Sequence, residues 1–140
     1  MKKIIYIVLA LSIIITSYGY CQSIAISEVP KSSIMFADKY FSDYYLYRAA
    51  KSSGGYVLIF KGGLKIYVNF NGDWHTISGG GDEISIDYIE DKIKNTVKKE
   101  FPDEKVVYIQ KKTKEYKIQF KSRRKITIDF DGNITKGGRD

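Results

Sequence analysis

The chain has 140 residues, of which 44% are hydrophobic and 14% aromatic, with 12 tyrosines. That suits one domain with a modest core and excludes an intrinsically disordered polymer. The formal charge is +7. Without Lys2 and Lys3, 21 basic residues face 16 acidic ones, an excess that supports solubility and weak attraction to anions and no more.

Lys2 and Lys3 precede an apolar run from Ile4 to Ile15, and small or polar residues follow in Thr16-Ser17-Tyr18-Gly19-Tyr20-Cys21. This is the layout of a secretory signal peptide over residues 1–21. The run is too short for a membrane-spanning helix, which needs about 20 apolar residues. Cleavage after Gly19 or after Cys21 satisfies the small-residue rule. Cys21 is the only cysteine, so no intramolecular disulfide can form. Tyr18 and Tyr20 are bulky for a lipid-attachment site at Cys21. The expectation is a mature domain over 22–140, periplasmic or secreted. Any membrane contact would run through an uncleaved leader or a lipidated Cys21. An exported address also argues against a nucleic-acid partner.

Ser23 to Glu28 reads as a linker or an extra edge segment. Pro30 suits the start of a helix, because its missing N–H would be unpaired there anyway. Ile34, Ala37 and Phe41 give that helix one apolar face. A strand from Tyr45 to Ala50 follows, with its register left open by the pattern. Next come Tyr56, Leu58 and Phe60, then Ile66, Val68 and Phe70, alternating with other residues at period two, so that one sheet face is buried. Asn71-Gly72 is a tight-turn signal, since both residues tolerate positive φ. A short strand near Trp74 to Ile77 closes the unit.

Gly79-Gly80-Gly81 reads as a flexible joint. Beyond it the pattern returns. Ile86, Ile89, Ile93, Val97 and Phe101 form a helical stripe, with Ser85 as its expected N-cap and Pro102 as its stop. A strand from Val106 to Gln110 follows, then Tyr116, Ile118 and Phe120, then Ile126, Ile128 and Phe130. Asp131-Gly132 gives the turn, and a short strand lies near Ile134 to Lys136. Tyr56, Phe60, Lys61, Lys65, Ile66, Phe70 and Gly72 meet Tyr116, Phe120, Lys121, Lys125, Ile126, Phe130 and Gly132 at a constant offset of sixty. A fixed long period marks a duplicated supersecondary unit. The fold class is therefore α+β. Two tandem helix-plus-antiparallel-meander repeats, about 29–78 and 85–136, would form a two-layer α/β domain with both helices on one face of the sheet.

Two such repeats behind a leader, each ending in a phrase like F-D-x-x-G-x-W, resemble the β-lactamase-inhibitor-like (BLIP-like), PepSY-like family of exported bacterial proteins. Here the phrase stands as Asn69-Phe70-Asn71-Gly72-Asp73-Trp74 and Asp129-Phe130-Asp131-Gly132-Asn133-Ile134. The second copy has Ile134 where an aromatic would stand. The resemblance implies a two-layer architecture with an open, concave sheet face, the surface with which the family's namesake grips an enzyme. It brings no established activity to this chain.

No constellation specifies a reaction. His75 is the only histidine and has no Ser or Cys partner in a triad-like arrangement. Asp129, Asp131 and Asn133 could offer oxygens to calcium, but turn geometry accounts for them. No catalytic residue, metal site or cofactor is expected. Two surfaces stand out. Val57, Ile59 and Tyr67 occupy nominally wet positions where the second copy has Lys117, Gln119 and Thr127. With Tyr45, Tyr47 and Trp74 they form a candidate site for a protein or peptide, with Arg48 and Lys65 as rim charges. A fold-back of the segment from Ile24 to Val29, or a second copy of the protein, would cover the same positions. The alternative is a basic patch on the second hairpin, Lys117, Lys121, Arg123, Arg124 and Lys125, for anionic polymers or lipid headgroups; charge that keeps an outer strand soluble gives the same pattern.

Overall fold

The computed structural model describes residues 22–137; the expected leader, including Cys21, lies outside them. The described chain forms nine strands and two α-helices. The strands are β1 (Ser23–Ile24), β2 (Leu46–Ser52), β3 (Gly55–Phe60), β4 (Lys65–Asn69), β5 (Trp74–Ser78), β6 (Val106–Lys111), β7 (Glu115–Phe120), β8 (Lys125–Asp129) and β9 (Ile134–Lys136). Helix α1 spans Lys31–Tyr40 and α2 spans Asp91–Glu100, and a 3-10 turn occupies Ile26–Glu28.

All nine strands join one sheet in chain order, each antiparallel to the next. The segment before α1 supplies the edge strand β1, which pairs Ser23 with Ala50 and Ile24 with Ala49. It does not fold back across the face bearing Tyr67.

Alternation places the core on one side. Leu58, Phe60, Ile66, Val68 and Ile77 from the first half join Ile109, Tyr116, Ile118, Phe120, Ile126 and Ile128 from the second. Ala37 and Phe41 of the first helical unit and Ile93, Val97 and Phe101 of the second belong to the same cluster. Phe101 meets Phe120 at 5.1 Å between ring centroids. Small residues and hydroxyls fasten the helices to the turns. Ser32 Oγ donates to the Asn71 carbonyl, and Thr96 Oγ1 donates to the Gly132 carbonyl at 2.9 Å.

Element starts from α1 and β2 onward recur at intervals of sixty residues, and so do the irregularities. The β2–β3 ladder skips a residue between Leu46 and Arg48, and β6–β7 does so between Val106 and Tyr108. The β4–β5 ladder skips at Tyr67/Val68, and β8–β9 at Thr127/Ile128. Each bulge inserts one unpaired residue and re-aims the side chains beyond it.

Three expectations need correction. Phe70 is 61% exposed, because β4 ends at Asn69 and Phe70 lies in the turn, in edge contact with Tyr56. Ser85 does not cap α2. Its hydroxyl closes a local turn with Asp87, and the helix starts six residues later with Glu90 as N-cap. Gly79 is no loose joint: its N–H donates to the Val107 carbonyl at 2.8 Å and it is buried.

Gly72 has φ +90°, and a Cβ there would run into Ser32 Oγ and Pro30 Cβ at the start of α1. Gly62 has the same φ with open space around it. Gly72→Ala therefore carries both backbone strain and a clash, and Gly62→Ala the strain alone. Urea denaturation is expected to show a loss of about 2–3 kcal/mol for the first and about 1 kcal/mol for the second.

Candidate functional site

The face turned away from the core carries two continuous rows of side chains, which follow from the registers. In the first half, Ala50 stands opposite Val57, Val57 opposite Tyr67, and Tyr67 opposite Thr76. The row continues through Gln110, Lys117 and Thr127 to Lys136. The neighbouring row runs Arg48, Ile59, Lys65, Ser78, then Tyr108, Gln119 and Lys125.

Polarity changes along the rows. The first half presents Val57, Ile59 and Tyr67, with the cations Arg48 and Lys65 on either side of Ile59. Val57 is only 4% exposed yet lies outside the core cluster, as does the fully buried Ala50. Ile59 and Tyr67 are half-buried. The middle is hydroxyl and amide: Thr76, Ser78, Tyr108, Gln110 and Gln119. The far end is cationic. There a groove of about 490 Å³ is lined by Tyr108, Lys117, Ile118, Gln119, Lys125, Ile126, Thr127 and Lys136.

The expected contact residues divide. Val57, Ile59, Tyr67, Arg48 and Lys65 share this face. Tyr47 is the extra residue of the β2 bulge and is exposed. Tyr45 precedes β2 and lies under the Lys61 ammonium at 5.3 Å, beside the β3–β4 turn. Trp74 is the clear departure. It pairs with the core residue Val68 across the ladder, because the bulge at His75 shifts the parity of β5. Its indole stacks on Tyr116 (6.1 Å, 13°) and on Phe36 (6.0 Å, 21°), and meets Tyr88 edge-on at 5.0 Å. Trp74 therefore joins the two halves from the helix side and adds nothing to the opposite face.

The basic group divides as well. Lys117 and Lys125 line the groove, whereas Lys121 and Arg123 lie in the β7–β8 turn. Arg124 stacks over Phe101 at 5.6 Å on the core side. Arg123 adopts φ 72° at the position equivalent to Gly63. Lys136, Tyr108 and Gln119 belong to the groove and were not singled out by the sequence. The signal was available, since Lys136 lies sixty positions after Thr76 and Tyr108 sixty after Arg48, but only a known bulge register assigns them a face.

His75 sits on the same face, with its ring 6.3 Å from Tyr67 and Nδ1 2.9 Å from Thr76 Oγ1. Burial, and then the Lys112 ammonium, hold its pKa below the ordinary value. Neither neighbour is a nucleophile–acid pair, so the geometry offers no triad. Tyr116 donates to Glu90 Oε2 at 2.8 Å, and burial followed by that carboxylate pushes the phenol far up. Asp129 Oδ1 accepts the N–H groups of Asp131 and Asn133, which fixes the turn. Among the described residues no group of three or more His, Cys, Asp or Glu comes together to hold a metal. No helix of the described residues is long and apolar enough to cross a membrane.

This arrangement defines an α+β protein with a nine-strand open antiparallel sheet, one face of it in the core. The chain belongs to the family described as "Putative beta-lactamase-inhibitor-like, PepSY-like", whose profile matches residues 54–136, more than half of its length. Solved structures share the fold. A putative calcium-regulated periplasmic protein of Bacteroides thetaiotaomicron superposes with a TM-score of 0.75 at 24% identity, over 82% of this chain and 94% of its own. A putative periplasmic protein of Bacteroides vulgatus gives 0.74 at 21% identity, over 82% and 94%. A second from that organism, of unknown function, gives 0.73 at 18%, over 80% and 93%. No curated protein matches.

Two outcomes test this geometry. Trp74→Ala removes the stack between the halves and is expected to cost on the order of 3 kcal/mol in urea unfolding. For His75, the folded state binds a proton more weakly than the unfolded chain, whose histidine titrates near 6.5. Stability from this residue is full above that pH and falls as the solution is acidified through it. Between about pH 7.5 and about pH 5.5, the urea midpoint should drop further for the wild type than for His75→Gln.

Proposed function

We propose that this protein is an exported, non-enzymatic binding module. It consists of two tandem copies of a helix-plus-meander unit, with both helices over one face of the shared sheet. The opposite face recognises a protein or peptide. The observation that carries this reading is the apolar end of that face: Val57, Ile59 and Tyr67, contiguous across β3 and β4 and separate from the core cluster. Side chains of this kind on a face without a covering layer mark an interaction surface, and Tyr combines apolar area with a polar tip.

Arg48 and Lys65 flank Ile59 and supply a charged rim. Tyr47, exposed at the β2 bulge, extends the contact area toward the sheet edge; Tyr45 adds to that edge. Export is supported by the leader pattern and by the periplasmic description of the structural relatives. Inhibition of an enzyme, which the family name carries, is one form such binding takes. The absence of a nucleophile–base pair on this face favours recognition over catalysis.

The test is a double variant, Ile59→Ser with Tyr67→Ser, used as bait against an extract of the bacterial envelope. The melting temperature is expected to stay within about 3 °C of the parent, since both side chains lie outside the core. Partner capture is expected to be lost. Capture that survives the double change would remove this face as the binding site, and a variant that fails to fold would make it part of the core.

A further inference from the structure

The binding face is not uniform, and its charge is one-sided. Along the two rows the charged residues are Arg48, Lys65, Lys117, Lys125 and Lys136, all cationic. Acidic groups on this face stand one row over, where Glu115 pairs with Asp129 beside the Lys117–Thr127 pair. The ion pairs among the described residues use Lys92, Lys94 and Lys105, and Lys117, Lys125 and Lys136 have no carboxylate bridge among those residues. These three lysines line one groove with Tyr108, Gln119 and Thr127. Like charges gathered there repel one another until an anion neutralises them, so the groove favours a negatively charged occupant.

We infer that the occupant of this face is an acidic polypeptide segment, with an apolar part on Ile59 and Tyr67 and a run of carboxylates in the Lys117–Lys125–Lys136 groove. This rests on the open-face reading above and narrows it to one chemistry. A polypeptide fits better than a lipid or polyphosphate, because one end of the face is apolar and its middle offers hydroxyl and amide partners. The spacing follows from the sheet. From β4 to β8 there are four strand intervals, or ~19 Å at ~4.8 Å each, which an extended peptide covers in about six residues. The apolar and acidic parts of the ligand should be separated by about that length.

The probe is a fluorescein-labelled synthetic peptide with a Val-Ile-Tyr block, a Gly/Ser spacer of about five residues and a block of about four glutamates. Fluorescence anisotropy with the purified protein follows binding at low and at physiological salt. The glutamate peptide is expected to bind at least about tenfold more tightly than its glutamine counterpart, and to weaken as salt rises. Lys117→Glu, Lys125→Glu and Lys136→Glu together should abolish that preference at an unchanged melting temperature, and Lys→Gln at the same sites should weaken it. Equal affinity for the glutamine peptide, lost in the Ile59→Ser, Tyr67→Ser variant, would overturn the acidic assignment and leave the open-face reading standing. Binding of phosphatidylglycerol vesicles or polyphosphate through the same lysines, with no glutamate preference, would overturn it in favour of a polyanion. Sedimentation showing a dimer that Tyr67→Ser dissociates would assign the face to a second copy instead.

Discussion

Everything on the functional face depends on one antiparallel pairing, that of β5 with β6. Thr76 opposes Gln110, Ile77 opposes Ile109, and Ser78 opposes Tyr108. Without these three pairs the molecule would be two separate meanders, each with one helix, and no ladder would join them. With them the ladder is continuous, and the parity of every strand is tied to that of its neighbours. A side chain on β3 and a side chain on β8 then face the same way. This is what turns two short sets of residues into rows that span the sheet.

The junction is secured on its helix side by aromatic rings. Trp74 lies between Phe36 and Tyr88, from the first half and the connecting segment, and Tyr116, from the second. Tyr116 reaches on to Glu90 at the start of α2. Tyr88 is held among Phe36, Tyr40, Phe41 and Trp74, and its buried hydroxyl makes no hydrogen bond among the described residues. Burial raises its pKa far above the ordinary range, with Tyr116 and Asp87 adding to it. An unsatisfied hydroxyl costs free energy, and here edge and face contacts with several rings offset that cost. The equivalent of Trp74 is Ile134, and the difference is positional. Strand β5 is interior and meets another half-sheet, whereas β9 is the last strand of the ladder and has nothing beyond it to stack on.

Much of this was legible in the sequence. Period-two alternation identified Leu58, Phe60, Ile66 and Val68 as core, and the helix and strand starts of the two halves stand sixty residues apart. What local pattern could not supply was the consequence of a bulge. One extra residue at Tyr47, Val107, His75 and Thr135 flips the parity of whatever lies beyond it, so Trp74 moved to the core side while Tyr108 and Lys136 moved to the other. Phe70 shows a second limit. Its alternation with Ile66 and Val68 is intact, but the strand ends one residue earlier because Asn69 Oδ1 accepts the N–H groups of Asn71 and Asp73 and turns the chain. Ser85 illustrates the same competition. A hydroxyl suited to a helix cap was taken instead by a turn with Asp87.

The division of labour between the two halves follows from their different exposure to substitution. Both halves keep the core parity, the tight turns and a glycine near a helix, where a Cβ on Gly72 would meet Pro30 and Ser32 and one on Gly132 would meet Lys92 and Thr96. On the opposite face the buried positions Ala50 and Val57 are constrained, whereas at its more exposed positions apolar and cationic side chains are both tolerated on a strand. The first half carries Val57, Ile59 and Tyr67 at positions where the second carries Lys117, Gln119 and Thr127. Mixed charges would serve solubility equally well on such a face, and the sorting of apolar groups to one end and lysines to the other is the feature the proposed binding reading builds on. The acidic peptide proposed above would use such a sorted arrangement, and the continuous ladder through β5 and β6 places both ends on one sheet face.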